Sequence, residues 1–205
     1  MDKTYWENYY KEHNRPAAPS LFAEAILKEY VSPGFRLVEL GCGNGRDSVF
    51  FAQNGVIVCG VDQVDAEVKF LNDTYAHDQL GFVAGDFTRL DLGGAFDCVY
   101  SRFTLHSVSE EDELRVLEWA YHHLNDGGLF CIEVRSANDP KLQDGERVSK
   151  NENIVDGHYR RYVDLSAFTQ KLTALSFELV SAEECVGFAP YGDEDPPVIR
   201  VVVKK

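Results

Sequence analysis

One stretch restricts this chain more than any other: residues 35–62, FRLVELGCGNGRDSVFFAQNGVIVCGVD. Leu37-Val38-Glu39-Leu40 is an apolar run of strand length, flanked by turn formers. Gly41, Gly43 and Gly45 follow at alternate positions, and Asp47 to Gln53 carries a helical pattern stopped by Asn54-Gly55. A second apolar run, Val56 to Val61, ends on an acid, Asp62. Strand, glycine loop, helix and strand in that order make a βαβ unit, and such a unit binds its ligand at the carboxyl ends of the strands.

The loop's spacing narrows the ligand. Glycine lets a bound group approach the main chain closely, and an acid at the tip of the second strand can accept both hydroxyls of a ribose. Dinucleotide loops share that logic but read GxGxxG. Here the third glycine of that register would fall on Arg46, whose long side chain opposes the close packing the glycine permits. Glu39, two residues before the first glycine, stands at the first strand's tip, placed to meet a cationic group. An amino acid joined to a nucleoside suits this loop better than a pyrophosphate.

Composition removes other classes. A chain of 205 residues fits one α/β domain with a sizeable core. Its net charge of −14 opposes a nucleic-acid partner, because phosphate contacts need a basic face. The five cysteines are dispersed without a C-x-x-C pair, so neither zinc nor a disulfide framework is indicated, and no metal is expected. The polar, aromatic N-terminus has no signal-peptide core, and no apolar run approaches membrane length, so a cytoplasmic protein without a membrane partner is expected. Oligomeric state is not readable.

VELGCGNG followed by Asp62 resembles motif I and its partner acid in class I S-adenosylmethionine-dependent methyltransferases, and the resemblance extends from about Phe35 to Lys205. It implies an α/β, Rossmann-like fold: one domain with a seven-stranded, mostly parallel sheet and helices on both faces. The implied cofactor is S-adenosyl-L-methionine, held by Glu39, Gly41, Cys42, Gly43, Asn44, Gly45, Asp62 and Gln63. Gly85-Asp86-Phe87, at the tip of a third strand over 81–84, matches the family's adenine site; read locally, Asp86 is equally a helix N-cap. A fourth strand, Phe96 to Tyr100, leads into Ser101-Arg102-Phe103-Thr104-Leu105-His106, which the resemblance sets against the methionine half and the acceptor. Ser101 then belongs to the cofactor and Arg102 to the substrate.

His106 is the candidate general base, or else a structural hydrogen-bonding group. Residues 1–34 read as an arm and helix outside the core, with Tyr10 and Arg15 toward a substrate; Ser20 caps the helix Leu21 to about Tyr30. Asp65 to Ala76, Ser109 to about Leu124, and Leu165 to Leu175 read as further helices. Leu129 to Val134, Phe177 to Glu183 and Val198 to Val203 read as strands. The irregular stretch from about 135 to 162 reads as a specificity insertion carrying Arg135, His158, Tyr159, Arg160 and Arg161, cations in an otherwise acidic chain. Adjacent side chains point in different directions, so only one of Arg160 and Arg161 faces a pocket.

Asp195-Pro196-Pro197-Val198 reads as a turn, and the aromatics of 187–191 as pocket walls. The stretches DGHYRRYVD and GFAPYGDEDPPVIRVV are similar to small methyltransferases of bacterial surface-polysaccharide and phosphoramidate gene clusters. They imply a small anionic acceptor bearing phosphate, phosphoramidate or carboxylate. A nucleotide-binding oxidoreductase and a catalytically silent binding module are the competing readings.

Overall fold

The computed structural model describes residues 3–12, 18–192 and 194–205. Seven strands form one sheet: β1 (Arg36–Leu40), β2 (Ile57–Asp62), β3 (Leu80–Ala84), β4 (Phe96–Arg102), β5 (Leu124–Arg135), β9 (Glu178–Cys185) and β10 (Val198–Lys204). Their spatial order is β3-β2-β1-β4-β5-β10-β9. β1 through β5 run parallel, and β10 is antiparallel to both β5 and β9. The order reverses between β1 and β4, which opens a crevice at their carboxyl ends. Register levels the tips: Leu40 pairs with Val61 on one side and with Ser101 on the other.

Strand alternation divides the core between two helical layers. Leu37, Cys98 and Tyr100 pack with α2 (Leu21–Glu29), α3 (Arg46–Gln53) and α4 (Asp65–Tyr75). Val38, Leu40 and Val99 pack with α5 (Glu110–His123) and α6 (Leu165–Ala174) on the other face. Burial on both faces explains why the central strands read as continuous apolar runs rather than alternating ones. Side-chain caps fix three helix starts: Ser20 accepts from the Ala23 amide, Ser109 from Asp112 and Asp164 from Ala167.

Two expectations change here. The N-terminal segment carries a helix, α1 (Lys3–Glu12), and α2 belongs to the main sandwich, since Phe22, Ala23 and Ile26 are buried in its core. The insertion is not irregular but holds a three-stranded antiparallel sheet: β6 (Glu146–Ser149), β7 (Glu152–Val155) and β8 (His158–Arg161). Asp156 and Gly157 both have positive φ, +55° and +74°, as a tight hairpin turn of the I′ kind requires. Among the described residues no helix is long and apolar enough to cross a membrane.

Candidate functional site

The carboxyl ends of β1, β2 and β4 border a cavity of about 450 Å³, closed on the far side by α1, the insertion sheet and the β9–β10 connection. The glycine loop lies along one end. A β-carbon added at Gly41, whose φ is +70°, would lie 2.3 Å from the Thr104 methyl; one at Gly43 would lie 2.8 Å from the Tyr10 hydroxyl. The bare backbone of these two glycines thus shapes the cradle. Gly45 does different work: it packs under Leu71 and Phe82 as the left-handed cap of α3, and it does not line the cavity.

Asp62 is buried at the tip of β2, and each carboxylate oxygen already accepts one backbone amide, Gly43 at 3.0 Å and Val64 at 3.0 Å. Burial raises its pKa and these amides oppose the rise. A carboxylate offers about four lone-pair sites, so capacity remains for two further donors. Glu39 is buried against Ser48, and desolvation, with Asp47 nearby, pushes its carboxyl well above the usual range. Asp47 is fixed by Ser20 at 2.7 Å and by the Tyr100 hydroxyl at 2.9 Å. Arg46 lies 3.6 Å from Asp47, and a further cation beside Glu39 would favour its ionised form. Cys42, Asn44, Gln63 and Phe87 also line this end.

Asp86 and Ser101 do not. Asp86 is exposed and accepts from the Thr88 amide at 2.9 Å and its hydroxyl at 2.7 Å, capping the short 3₁₀ turn Phe87–Arg89. The local cap reading therefore describes its contacts. Ser101 is fully buried against the Thr104 hydroxyl, and Thr104 is the residue that reaches the cavity.

The other end is cationic and aromatic. Arg102 pairs with buried Glu133 at 2.8 Å and lies over the Phe103 ring; Arg200 holds the second Glu133 oxygen at 2.7 Å. Arg135 pairs with Asp139 at 2.6 Å and also lies over Phe103. Phe103 has φ +54°, an unusual backbone for a bulky residue, and its amide donates to the Glu133 carbonyl at 2.9 Å. His106 is buried, and its Nδ1 has no hydrogen-bond partner among the described residues. Desolvation first, and then the charges of Arg135, His158, Arg160 and Arg161, hold its pKa well below the ordinary histidine range. It is therefore a neutral imidazole at neutral pH.

Alternation along β8 separates the four candidates of the insertion. His158 and Arg160 line the cavity, whereas Tyr159 and Arg161 turn away. The Tyr159 hydroxyl donates to Glu152 at 2.7 Å. Arg161 forms an ion pair with fully buried Glu113 and donates to the carbonyls of Val108 and Leu105, so the expectation that it binds substrate is corrected. From α1, Tyr5 stacks on His158 with centroids 4.5 Å apart, Trp6 meets the same ring edge-on, and Lys3 pairs with Asp65 of α4. Tyr10 lines the cavity; Arg15 lies outside the described residues.

Tyr5, Trp6, Phe103, Thr104, Lys141 and Glu194 also border the cavity but were not among the expected site residues. Aromatic density before Pro16 signalled Tyr5 and Trp6, Phe103 and Thr104 fall in the segment 101–106 set against cofactor and acceptor, and Lys141 is one of the insertion's cations; Glu194 had no signal. Ala189, Pro190, Tyr191 and Pro196 wall the mouth, while Phe188 lies instead under Arg200.

Fold and site define an α/β protein whose switch-point crevice suits a nucleoside carrying an amino acid. The chain belongs to the methyltransferase domain family, which it matches over residues 10–182. It is 31% identical over 104 residues to an uncharacterized methyltransferase of Synechocystis sp., covering 50% of this chain and 48% of that one. It is 28% identical over 135 residues to trans-aconitate 2-methyltransferase of Deinococcus radiodurans, covering 65% and 50%. The chain spans about half the length of these curated relatives. Its fold is shared with 1,6-didemethyltoxoflavin-N1-methyltransferase of Burkholderia thailandensis, solved with 1,6-didemethyltoxoflavin and S-adenosylhomocysteine, at TM-score 0.75 and 19% identity over 98% of this chain and 84% of that one. S-adenosyl-L-methionine is the cofactor. The residues present fit it, with spare acceptor capacity on Asp62, a cradle at Gly41 and Gly43 that side chains would fill, and the buried Glu39 carboxyl at the tip of β1.

Proposed function

We propose that this protein transfers a methyl group from S-adenosyl-L-methionine to an oxygen or nitrogen of a small anionic metabolite. The observation that carries the reading is one cavity with unlike ends: Glu39, Asp47 and Asp62 at the glycine loop, with Arg46 beside Asp47, and at the other end Arg135, Lys141 and Arg160, with Glu194 beside Lys141. When bound, S-adenosylmethionine supplies a methyl carbon on a sulfonium, already electrophilic enough for direct displacement.

The chain's own part is position and enclosure. Asp62 would hold the ribose hydroxyls, Glu39 the amino group, and Phe87 the adenine face. Phe103 and His106 would border the acceptor, with α1 and the β6–β8 sheet as the lid and specificity elements that keep water out. Trans-aconitate, named for one relative, is a carboxylate, which favours an anionic acceptor. The resemblance carried by 156–164 and 187–202 favours a phosphate- or phosphoramidate-bearing precursor of a surface polysaccharide.

Calorimetric titration with S-adenosylmethionine and with NADH tests the cofactor half: binding of the first and not the second is expected. Release of S-adenosylhomocysteine in the presence of pooled anionic metabolites tests turnover. Cofactor binding without release would identify a silent binding module instead.

A further inference from the structure

We propose that Arg160 is the seat of the acceptor's oxyanion, a carboxylate or phosphate, and that the buried His106 imidazole takes the hydrogen bond of a hydroxyl or amine beside that anion. The inference rests on the acceptor end of the proposed methyl-transfer site and assigns its chemistry to two residues. Four cations border that end, and three are already engaged: Arg102 with Glu133 at 2.8 Å, Arg135 with Asp139 at 2.6 Å, and Lys141 with Glu194 at 2.7 Å. Arg160 differs. Its Nη1 is buried, yet among the described residues it has no hydrogen-bond partner.

A guanidinium donor hidden from water without an acceptor is costly, and more so because it is charged. His106 repeats the pattern, being 5% exposed with an unpartnered buried Nδ1, and it lines the same cavity. Both residues line one cavity and each carries an unsatisfied polar atom, which one ligand with complementary groups would account for together. The planar guanidinium fork matches a carboxylate or phosphate in two parallel bonds, a geometry that lysine cannot reproduce. The cations around His106 disfavour its protonation, so the imidazole keeps an unprotonated nitrogen, and a neighbouring O–H or N–H is the group it can receive.

The test uses the whole chain loaded with S-adenosylhomocysteine, with inorganic phosphate and succinate as separate probes in calorimetry. Wild type should bind at least one probe, and the preferred probe tells a phosphate acceptor from a carboxylate one. Arg160→Lys should weaken that binding at least tenfold. Tyr159→Phe, on the opposite face of β8, should leave it unchanged, and Arg161→Lys should lower the melting temperature without altering it. A mutant-free arm covers misfolding: the preferred probe should protect Arg160 of wild type, but not exposed Arg147, from phenylglyoxal, read by peptide mass spectrometry. Equal affinity in wild type and Arg160→Lys, absence of protection, or no binding of either probe overturns the anion seat. Failure of wild type to bind S-adenosylhomocysteine at all would instead sink the methyl-transfer reading beneath it.

Discussion

Replacing Asp62 with alanine separates cofactor recognition from loop construction. In the structure each Asp62 oxygen accepts one backbone amide at 3.0 Å, from Gly43 and from Val64, and each retains capacity for one ribose hydroxyl. Hydrogen bonds to a charged partner contribute roughly 1.5–3 kcal/mol, which corresponds to about a 10- to 150-fold loss in affinity for S-adenosylmethionine. The same substitution leaves two amides unpaired. Gly43 borders the cavity, where water can replace the carboxylate, while the Val64 amide is buried and should cost stability by about 1–3 kcal/mol. Asp62→Asn keeps the size and one acceptor oxygen but loses the charge, so its affinity should fall between wild type and alanine. Calorimetry well below the melting temperature, with circular dichroism to verify folding, measures the two effects independently. A folded Asp62→Ala protein with unchanged affinity would refute the ribose assignment.

Three further outcomes follow from the geometry. Arg161→Met strands the fully buried Glu113 carboxylate with Lys171 as its remaining partner, and chemical denaturation should show a loss of roughly 3 kcal/mol; a loss under 0.5 kcal/mol would contradict the buried pair. Burial and the charge of Asp62 push Glu67 up to about 7 from an ordinary 4.5, so the folded chain keeps this proton where the unfolded chain has lost it, and stability falls as pH rises between those values. Glu67→Gln should therefore melt above wild type at pH 8, with the gap closing toward pH 4.5. Phe103 sits at φ +54°, where glycine is freer than alanine by roughly 1–2 kcal/mol, so Phe103→Gly should be the more stable of the two truncations. Both should raise the acceptor KM without changing cofactor affinity, and equal stabilities would argue against the left-handed backbone.

What could be read from the chain was mostly local. The runs at 37–40 and 56–61 differ by one residue from β1 and β2, because a strand buried on both faces leaves an unbroken apolar signature. The glycine loop and Asp62 were legible for the same reason: their chemistry is written within one βαβ unit. Strand order was not, since apolar runs do not state their neighbours, and it came with the family resemblance. The insertion hairpin has a local signal too, because Asp156-Gly157 between alternating residues is a hairpin turn pair in its own right. Alternation required that Arg160 and Arg161 part company, but choosing the inward one needs the register of β7 against β8, Ile154 opposite Tyr159, and the position of that sheet over the cavity. Asp86 shows the opposite limit, since a strand-tip acid reads alike whether it meets an adenine or caps the next turn, as it does here.

The central claim is that a methyl group passes to a small anion held opposite the glycine loop. Incubating the protein with S-adenosylmethionine deuterated at the methyl, together with small metabolites separated by ion exchange, tests it most directly. The labelled methyl should appear, by mass spectrometry, in the anion-retained fraction, and its appearance should stop with Asp62→Ala at limiting cofactor. Label found only in neutral or cationic metabolites, or in none while S-adenosylmethionine remains bound, would contradict the account.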